Sequence, residues 1–427
     1  MSSPRITREA RRLSMLLVAS ALLGGYQQSA NAAGMSLAQA IAISVQSNKD
    51  LQAARYIVEE ARARSVQAGL PPNPRLDIAA KNDVLFRNEG EYAASVGVSQ
   101  QFSIAGRLAH QKEVARVDVA LALAEIKQAK LKLAGEVSSE FYRLLVLDRQ
   151  IALRERLIVA EQALVLGTRN RFKAAEVSEL DVNTAQLELQ RLTQERALLL
   201  SQRISQQARM NQLLGRSASQ ALALDEALPA KESLPALAEL QRQALSSRPD
   251  LQFALLGADR ARANQALARA QRWEDWTVGV GLEQGRQVID GGPPQGSSRV
   301  IGLSLSIPLP LRNRNQGNIA ETAAAGEQAA ARIEALKLSV ANEVARAYAE
   351  TERLQQALSE YRSSMLGVSA RNVRLAQQGY DQGLIPVGDV VRIQRQHGEL
   401  NIAYLNTLDQ YLQALARLRS ATGNFLK

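Results

Sequence analysis

The sequence predicts a mainly α-helical chain with short membrane β-strands, because three patterns each occur twice: a Ser-x-x-Asp-Leu-Gln start, a pair of alternating runs, and a long proline-free stretch. Each half of the 427 residues reads as a helix, two strands and then two long helices. That order points to a channel and away from an enzyme.

The first copy opens at Ser47-Asn48-Lys49-Asp50-Leu51-Gln52 and the second at Ser247-Arg248-Pro249-Asp250-Leu251-Gln252. Further on, Tyr142 stands opposite Tyr348, Asp181-Val182 opposite Asp389-Val390, and Gly215 opposite Gly423, so the offset grows from 200 and settles at 208. The extra residues fall in the strand region of the second copy, where the Gly/Pro/Ser loop 291–298 absorbs them cheaply.

Residues 1–32 have the layout of a secretory signal. Arg5, Arg8, Arg11 and Arg12 precede an apolar run from Leu13 to Leu23, and Ala30-Asn31-Ala32 offers a small-residue cleavage site. The apolar run is too short to span about 30 Å of hydrocarbon. Losing this segment removes four Arg and one Glu and lowers the formal charge from +10 to +7. The remaining charges lie in mixed-sign runs such as Arg154-Glu155-Arg156, a solvated helical face without a nucleic-acid footprint. With no cysteine, the chain has no disulfide framework, no thiolate metal site, no catalytic thiol and no lipidated cysteine. Its own fold must hold it in a membrane.

Prolines mark the junctions. None occurs between Pro74 and Pro229 or between Pro249 and Pro293, and after Pro310 only Pro386 follows; helix interiors exclude proline. The first repeat is placed at 33–233, with strands at about 75–86 and 92–103, a helical hairpin at about 106–215 and a linker at 216–233. The second is placed at 234–427, with strands at about 273–285 and 298–308 and a hairpin at about 312–422. A helix of about 67 residues from Gly106 reaches roughly 100 Å. In the second copy, Ile333, Leu336, Val340, Val344, Ala347, Thr351, Leu354, Leu358, Tyr361, Met365 and Val368 are three or four apart, a coiled-coil-like stripe. Val182, Ala185, Leu189, Leu192 and Leu199 follow a similar stripe on a shorter return helix.

Each strand candidate is apolar on one face and small or polar on the other, as in Ile301, Leu303, Leu305 and Ile307 against Gly302, Ser304 and Ser306. Runs of about 10 residues suit a tilted membrane strand. Alternation alone also fits two hairpins lying on a soluble helical core; export, strand length and position favour the membrane. Trp273, Trp276 and Tyr92, with Phe86 and Phe102, fall at strand ends where an interfacial aromatic girdle would place them. Four strands cannot close a barrel, and open edges are not tolerated in lipid. Neighbouring protomers must supply the rest; two copies give 8 strands and three give 12.

With these features in place, the chain resembles the TolC family of outer-membrane efflux channels over essentially its whole mature length. The local matches are Arg171-Phe172 through Leu180-Asp181-Val182, and Gly379-Tyr380-Asp381-Gln382-Gly383 through Gly388-Asp389-Val390. These strings resemble the family's periplasmic helix-turn tips. The segments Ile307-Pro308-Leu309-Pro310 through Ala320 and Phe102 through Arg107 resemble the heavy-metal branch, the cobalt-zinc-cadmium and nickel-cobalt channels. The resemblance implies a homotrimer with a 12-stranded barrel in the outer-membrane lipid and a long periplasmic helical barrel. It also implies a periplasmic adaptor and an inner-membrane RND pump as partners, no cofactor, and divalent metal cations as cargo. Drugs or exported proteins are the rival cargoes, and a soluble coiled-coil adaptor the rival architecture.

The resemblance also nominates residues. Asp389 matches an aspartate at the constricted periplasmic aperture, while the family's second aspartate corresponds here to Arg392. Tyr380 and Asp181 match positions that hydrogen-bond between neighbouring tips, a latch. A helix cap is the structural alternative for Asp389. His110 and His397 have no second ligand cluster nearby and are expected at the surface, and no motif of a catalytic or nucleotide-binding site occurs.

Overall fold

The computed structural model describes residues 34–85, 90–225, 233–289, 292, 295–423 and 425. The expected signal segment 1–32, and Phe86 among the aromatics, lie outside them. In the first repeat, α1 (Leu37–Ser47) and α2 (Lys49–Ala68) lead into β1 (Arg75–Asn82), β2 (Tyr92–Phe102), α3 (Arg107–Lys173) and α4 (Glu179–Leu213). In the second, α5 (Leu237–Ser247) and α6 (Pro249–Ala270) lead into β3 (Trp276–Arg286), β4 (Ser298–Ser306), α7 (Gln316–Glu360), a π-helical turn (Tyr361–Met365), α8 (Leu366–Asp381) and α9 (Val387–Ala421).

The leading helix of each repeat is thus divided. Asn48 (ψ 127°) and Arg248 (ψ 128°) leave helical geometry, and Asn48 then caps the next helix by accepting the Leu51 amide at 2.9 Å. In the second copy Pro249 begins the new helix, where its missing N–H costs nothing. Both long helices start after a left-handed residue, Gly106 (φ 68°) and Asn315 (φ 58°).

The strands form one antiparallel sheet in the order β1-β2-β3-β4, so the repeats join through β2 and β3. Register places Leu76, Val98, Val280 and Leu303 in one row and Ile78, Val96, Leu282 and Ile301 in another, all on one face and all exposed. The opposite face carries Asp77, Gly97, Gly281 and Gly302 in one row and Ser99, Gly279 and Ser304 in the next. Strands β1 and β4 are the edges. β3 starts at Trp276, not 273, because residues 271–273 still turn off α6, with the Trp273 amide donating to Ala270 O at 3.1 Å. An ion pair between Arg107 and the buried Asp275 ties the start of α3 to the residue before β3.

The main core gathers α1, α3, α4 and α9 around Phe141, Tyr142, Met210, Leu408 and Leu412. The chain before α1 is fastened there too, Met35 pairing with Leu224. On α7 the expected stripe is buried at Ile333, Val340, Val344, Ala347, Thr351 and Leu358. It fails at Met365 and Val368, which are 47% and 56% exposed. The intervening π turn closes i→i+5 bonds, so three-and-four spacing no longer tracks one face. Among the described residues no helix is long and apolar enough to cross a membrane.

Candidate aperture site

The two hairpin tips are built on one backbone scheme. At the end of α3, Glu176 N–H donates to Arg171 O at 2.9 Å and Ala175 N–H to Phe172 O at 2.9 Å; at the end of α8, Leu384 N–H donates to Gly379 O at 2.8 Å and Gly383 N–H to Tyr380 O at 2.9 Å. Each is a Schellman closure, and the two sets lie 208 apart. The scheme needs a left-handed residue, supplied by Ala175 (φ 58°) in the first tip and Gly383 (φ 73°) in the second.

Side chains then diverge. Ser178 caps α4 by accepting the Asp181 amide at 3.3 Å, while Asp181 Oδ2 accepts the Ser178 amide at 3.0 Å and hydroxyl at 2.7 Å, a reciprocal capping box. At the equivalent position α9 has Pro386, which offers no side-chain cap. Asp389 is therefore not the cap. It sits in the first turn of α9, where a negative charge suits the helix dipole, and pairs with Arg392 at 3.0 Å. Both groups stay well exposed, the carboxylate 44% and the guanidinium 68%.

Tyr380 is 4% exposed, packed with Leu164, Val165, Ala185, Val387, Val390 and Val391. Its hydroxyl lies 2.9 Å from Thr168 Oγ1, which itself donates to Leu164 O at 2.8 Å, so the phenol is the donor to Thr168. Arg171 stacks over the Tyr380 ring at 4.8 Å, donates to Tyr380 O at 2.8 Å and reaches Glu176 at 3.1 Å. Within one protomer Tyr380 and Asp181 share no hydrogen bond; each has a partner of its own. Sequence reasoning missed Thr168 and Arg171, whose bonds to Tyr380 bridge 212 and 209 residues. The Arg171-Phe172 string was the only signal.

One layer above the tip lies an ionic cluster, buried at Glu188 and half-exposed at Arg395, that no motif announces. Glu188 on α4 receives Arg191 from its own helix and Arg395 of α9 at 2.6 Å, Arg191 also reaches Glu195, and Arg154 of α3 meets Glu195 at 2.9 Å. Burial works against ionising Glu188, yet the hydrogen bonds from Arg191 and Arg395 outweigh it and hold its carboxyl below the usual range. Glu161 of α3 is 1% exposed, with Oε1 buried and unpartnered. Burial, then the charge of Glu188, push its pKa up to about 7.

His397 is half-buried between α9 and α8, its Nδ1 2.9 Å from Ser369 Oγ, and burial lowers its pKa. No group of three His, Cys, Asp or Glu fit to hold a metal occurs among the described residues. Tyr92 begins β2 at one rim of the sheet, whereas Trp276 pairs with Phe102 at the other. Trp273 stands just outside that second rim under the Arg272 guanidinium, 5.5 Å away.

Similarity to known proteins follows the same two halves. The Cobalt-zinc-cadmium resistance protein CzcC of Cupriavidus metallidurans is 23% identical over 394 residues, covering 91% of this chain and 90% of the relative. The Pyoverdine export outer membrane protein OpmQ of Pseudomonas putida is 24% identical over 418 residues, covering 92% and 86%. Among solved structures, CusC superposes with a TM-score of 0.72 at 18% identity, covering 91% of this chain and 92% of that one. The open state of the Neisseria gonorrhoeae MtrE outer membrane channel gives 0.69 at 21%, covering 92% and 89%. The model of the Outer membrane efflux protein family matches residues 40–216 and 240–424, one match per repeat. With both repeats matched and the sheet and hairpins in the arrangement of those channels, the chain belongs to the outer membrane efflux protein family, a family of transport channels and not of enzymes.

Proposed function

We propose that three copies of this chain, exported by the signal segment 1–32 that is then cleaved off, form a duct through the periplasm and outer membrane that releases divalent heavy-metal cations. The sheet carries the reading: four strands with an apolar exposed face and two unpaired edges, β1 and β4, are stable in lipid only when closed against other strands. Three such sheets make a 12-stranded barrel, with Tyr92 at one interface and Trp276 and Trp273 at the other. The hairpins form the periplasmic tunnel, which meets a periplasmic adaptor and an inner-membrane RND pump.

At the periplasmic end, three copies of Asp389 and Arg392 frame the aperture, and the carboxylates raise the local cation concentration. Tyr380 and Asp181 of neighbouring tips act as the latch. Because the phenol proton is given to Thr168 within the protomer, forming the latch requires the phenol to turn toward an Asp181 oxygen. The duct stores no ion; the pump selects the cation.

The cargo reading rests on likeness to the cobalt-zinc-cadmium resistance protein along nine tenths of the chain. Similarity to the pyoverdine export protein supports a second reading, export of pyoverdine. A deletion strain separates them. Sensitivity to cobalt, zinc or cadmium that the chain rescues is the expected result; sensitivity confined to hydrophobic drugs, or a defect only in pyoverdine export, overturns the metal assignment.

A further inference from the structure

Glu161 belongs to neither tip nor barrel, and its burial has a cost that the fold does not offset with a hydrogen bond. In the antiparallel α3–α4 hairpin, Leu164 and Val165 pack at the level of Ala185. One turn back on α3 is Glu161 and one turn on along α4 is Glu188, so two carboxyl groups meet in a buried seam. Buried carboxylates in such a position are stable only if paired or protonated. The available cations are already engaged: Arg191 and Arg395 hold Glu188, and Arg154 holds Glu195. Glu161 is left with no donor at Oε1.

Arg395 gives this seam a reach. It lies on α9, six residues beyond Asp389 and three beyond Arg392, and its bond to Glu188 fastens the start of α9 to the first hairpin. We propose that Glu161 is a proton-operated pin: protonated, it leaves Glu188 the sole carboxylate holding Arg395 and α9 stays docked; ionised, it competes for the same arginines and loosens α9 at the aperture. The proposal rests on the reading of α9 as the aperture helix.

The charged groups around Glu161 are Glu188 and Arg191 from α4 and Arg395 from α9, with Arg154, Glu195 and Glu399 in the next layer. His397, facing α8, is the histidine on this stretch, which also carries Asp389 and Glu399, and burial keeps it neutral down to a lower pH. A carboxyl whose folded pKa is raised binds more protons folded than open. The stability it contributes is complete below its ordinary value of 4.5 and is lost as pH rises through about 7. Between pH 6 and 8 that linkage weakens the docked state by up to about tenfold, the limit reached when undocking of α9 restores the ordinary value of Glu161 in full.

The measurement is amide hydrogen exchange over residues 387–396 of the full-length protein at pH 6 and pH 8, corrected for intrinsic rates, with single-channel conductance recorded alongside. Wild type is expected to lose protection at pH 8, by up to about tenfold. Glu161→Gln, and Glu161→Met as a second neutral variant, hold the pH 6 level throughout, and His397→Gln keeps the wild-type loss. A wild type without the loss, neutral variants that keep it, or its abolition in His397→Gln overturns the pin. Conductance rising with the loss supports both readings; an exchange response with unchanged conductance supports the pin and overturns α9 as the aperture helix.

Discussion

The first and second tips share a backbone to the level of individual hydrogen bonds, yet they treat equivalent side chains in opposite ways. Phe172 is 45% exposed where Tyr380 is 4% exposed; Asp181 is spent on a capping box where Asp389 is left in solution beside Arg392. The first tip satisfies itself locally and the second leans on the first, through Thr168 and Arg171. Duplication supplied the scaffold twice, and divergence of side chains made one tip a support and the other the tip that rests on it.

The largest break in that comparison is at the aromatic position. Tyr380→Ala removes a buried ring, its bond to Thr168 and its stacking on Arg171, and is expected to cost about 3–5 kcal/mol of local stability. Phe172→Ala, at the equivalent exposed position, should stay within about 0.5 kcal/mol. Hydrogen exchange at the tips reads both, and raised single-channel conductance should accompany only the first. Equal effects at the two sites would mean that the tips support one another symmetrically.

A smaller effect tests the shared backbone. Ala175 occupies a left-handed conformation that costs an L-residue about 1–2 kcal/mol, whereas Gly383 occupies it freely. Ala175→Gly should stabilise the first tip by about 0.5–1 kcal/mol, after the greater chain entropy of glycine is counted. Gly383→Ala should destabilise the second by about 1 kcal/mol, since its new methyl meets only the Arg171 guanidinium at 3.6 Å. Thermal melts of the paired variants check the opposite signs.

How much of this was legible in the sequence follows from the range of each interaction. The duplication, the long helices and the alternating strands are local patterns, and proline exclusion marked their junctions. The π turn at Tyr361–Met365 was not legible, because Tyr361, Met365 and Val368 keep the three-and-four spacing that a continuous helix would show. The division at Asn48 was hidden for a related reason: asparagine is tolerated in helices, and only its bond to the Leu51 amide reveals a cap. At the site, Asp181 and Asp389 were visible as matching letters, but their opposite roles depend on Ser178 against Pro386 three residues earlier. Glu161 and Glu188 were invisible as a pair, since two glutamates on separate helices look like two solvated faces until the hairpin closes.

The smallest energetic effect is the most informative about function. Asp181→Asn weakens the capping box and should cost about 1 kcal/mol in the first tip with no change in ion preference. Asp389→Asn removes half of an exposed pair and should change stability by less than about 0.5 kcal/mol. If Asp389 faces the threefold axis, that nearly silent substitution deletes three charges from one ring, and the preference for cations over anions in reversal-potential measurements should fall. A carboxylate that adds little to its own helix, beside a twin that caps one, is then retained for what passes it. An unchanged reversal potential would instead place Asp389 on the outer wall and leave the aperture to Arg392 and the tip backbone.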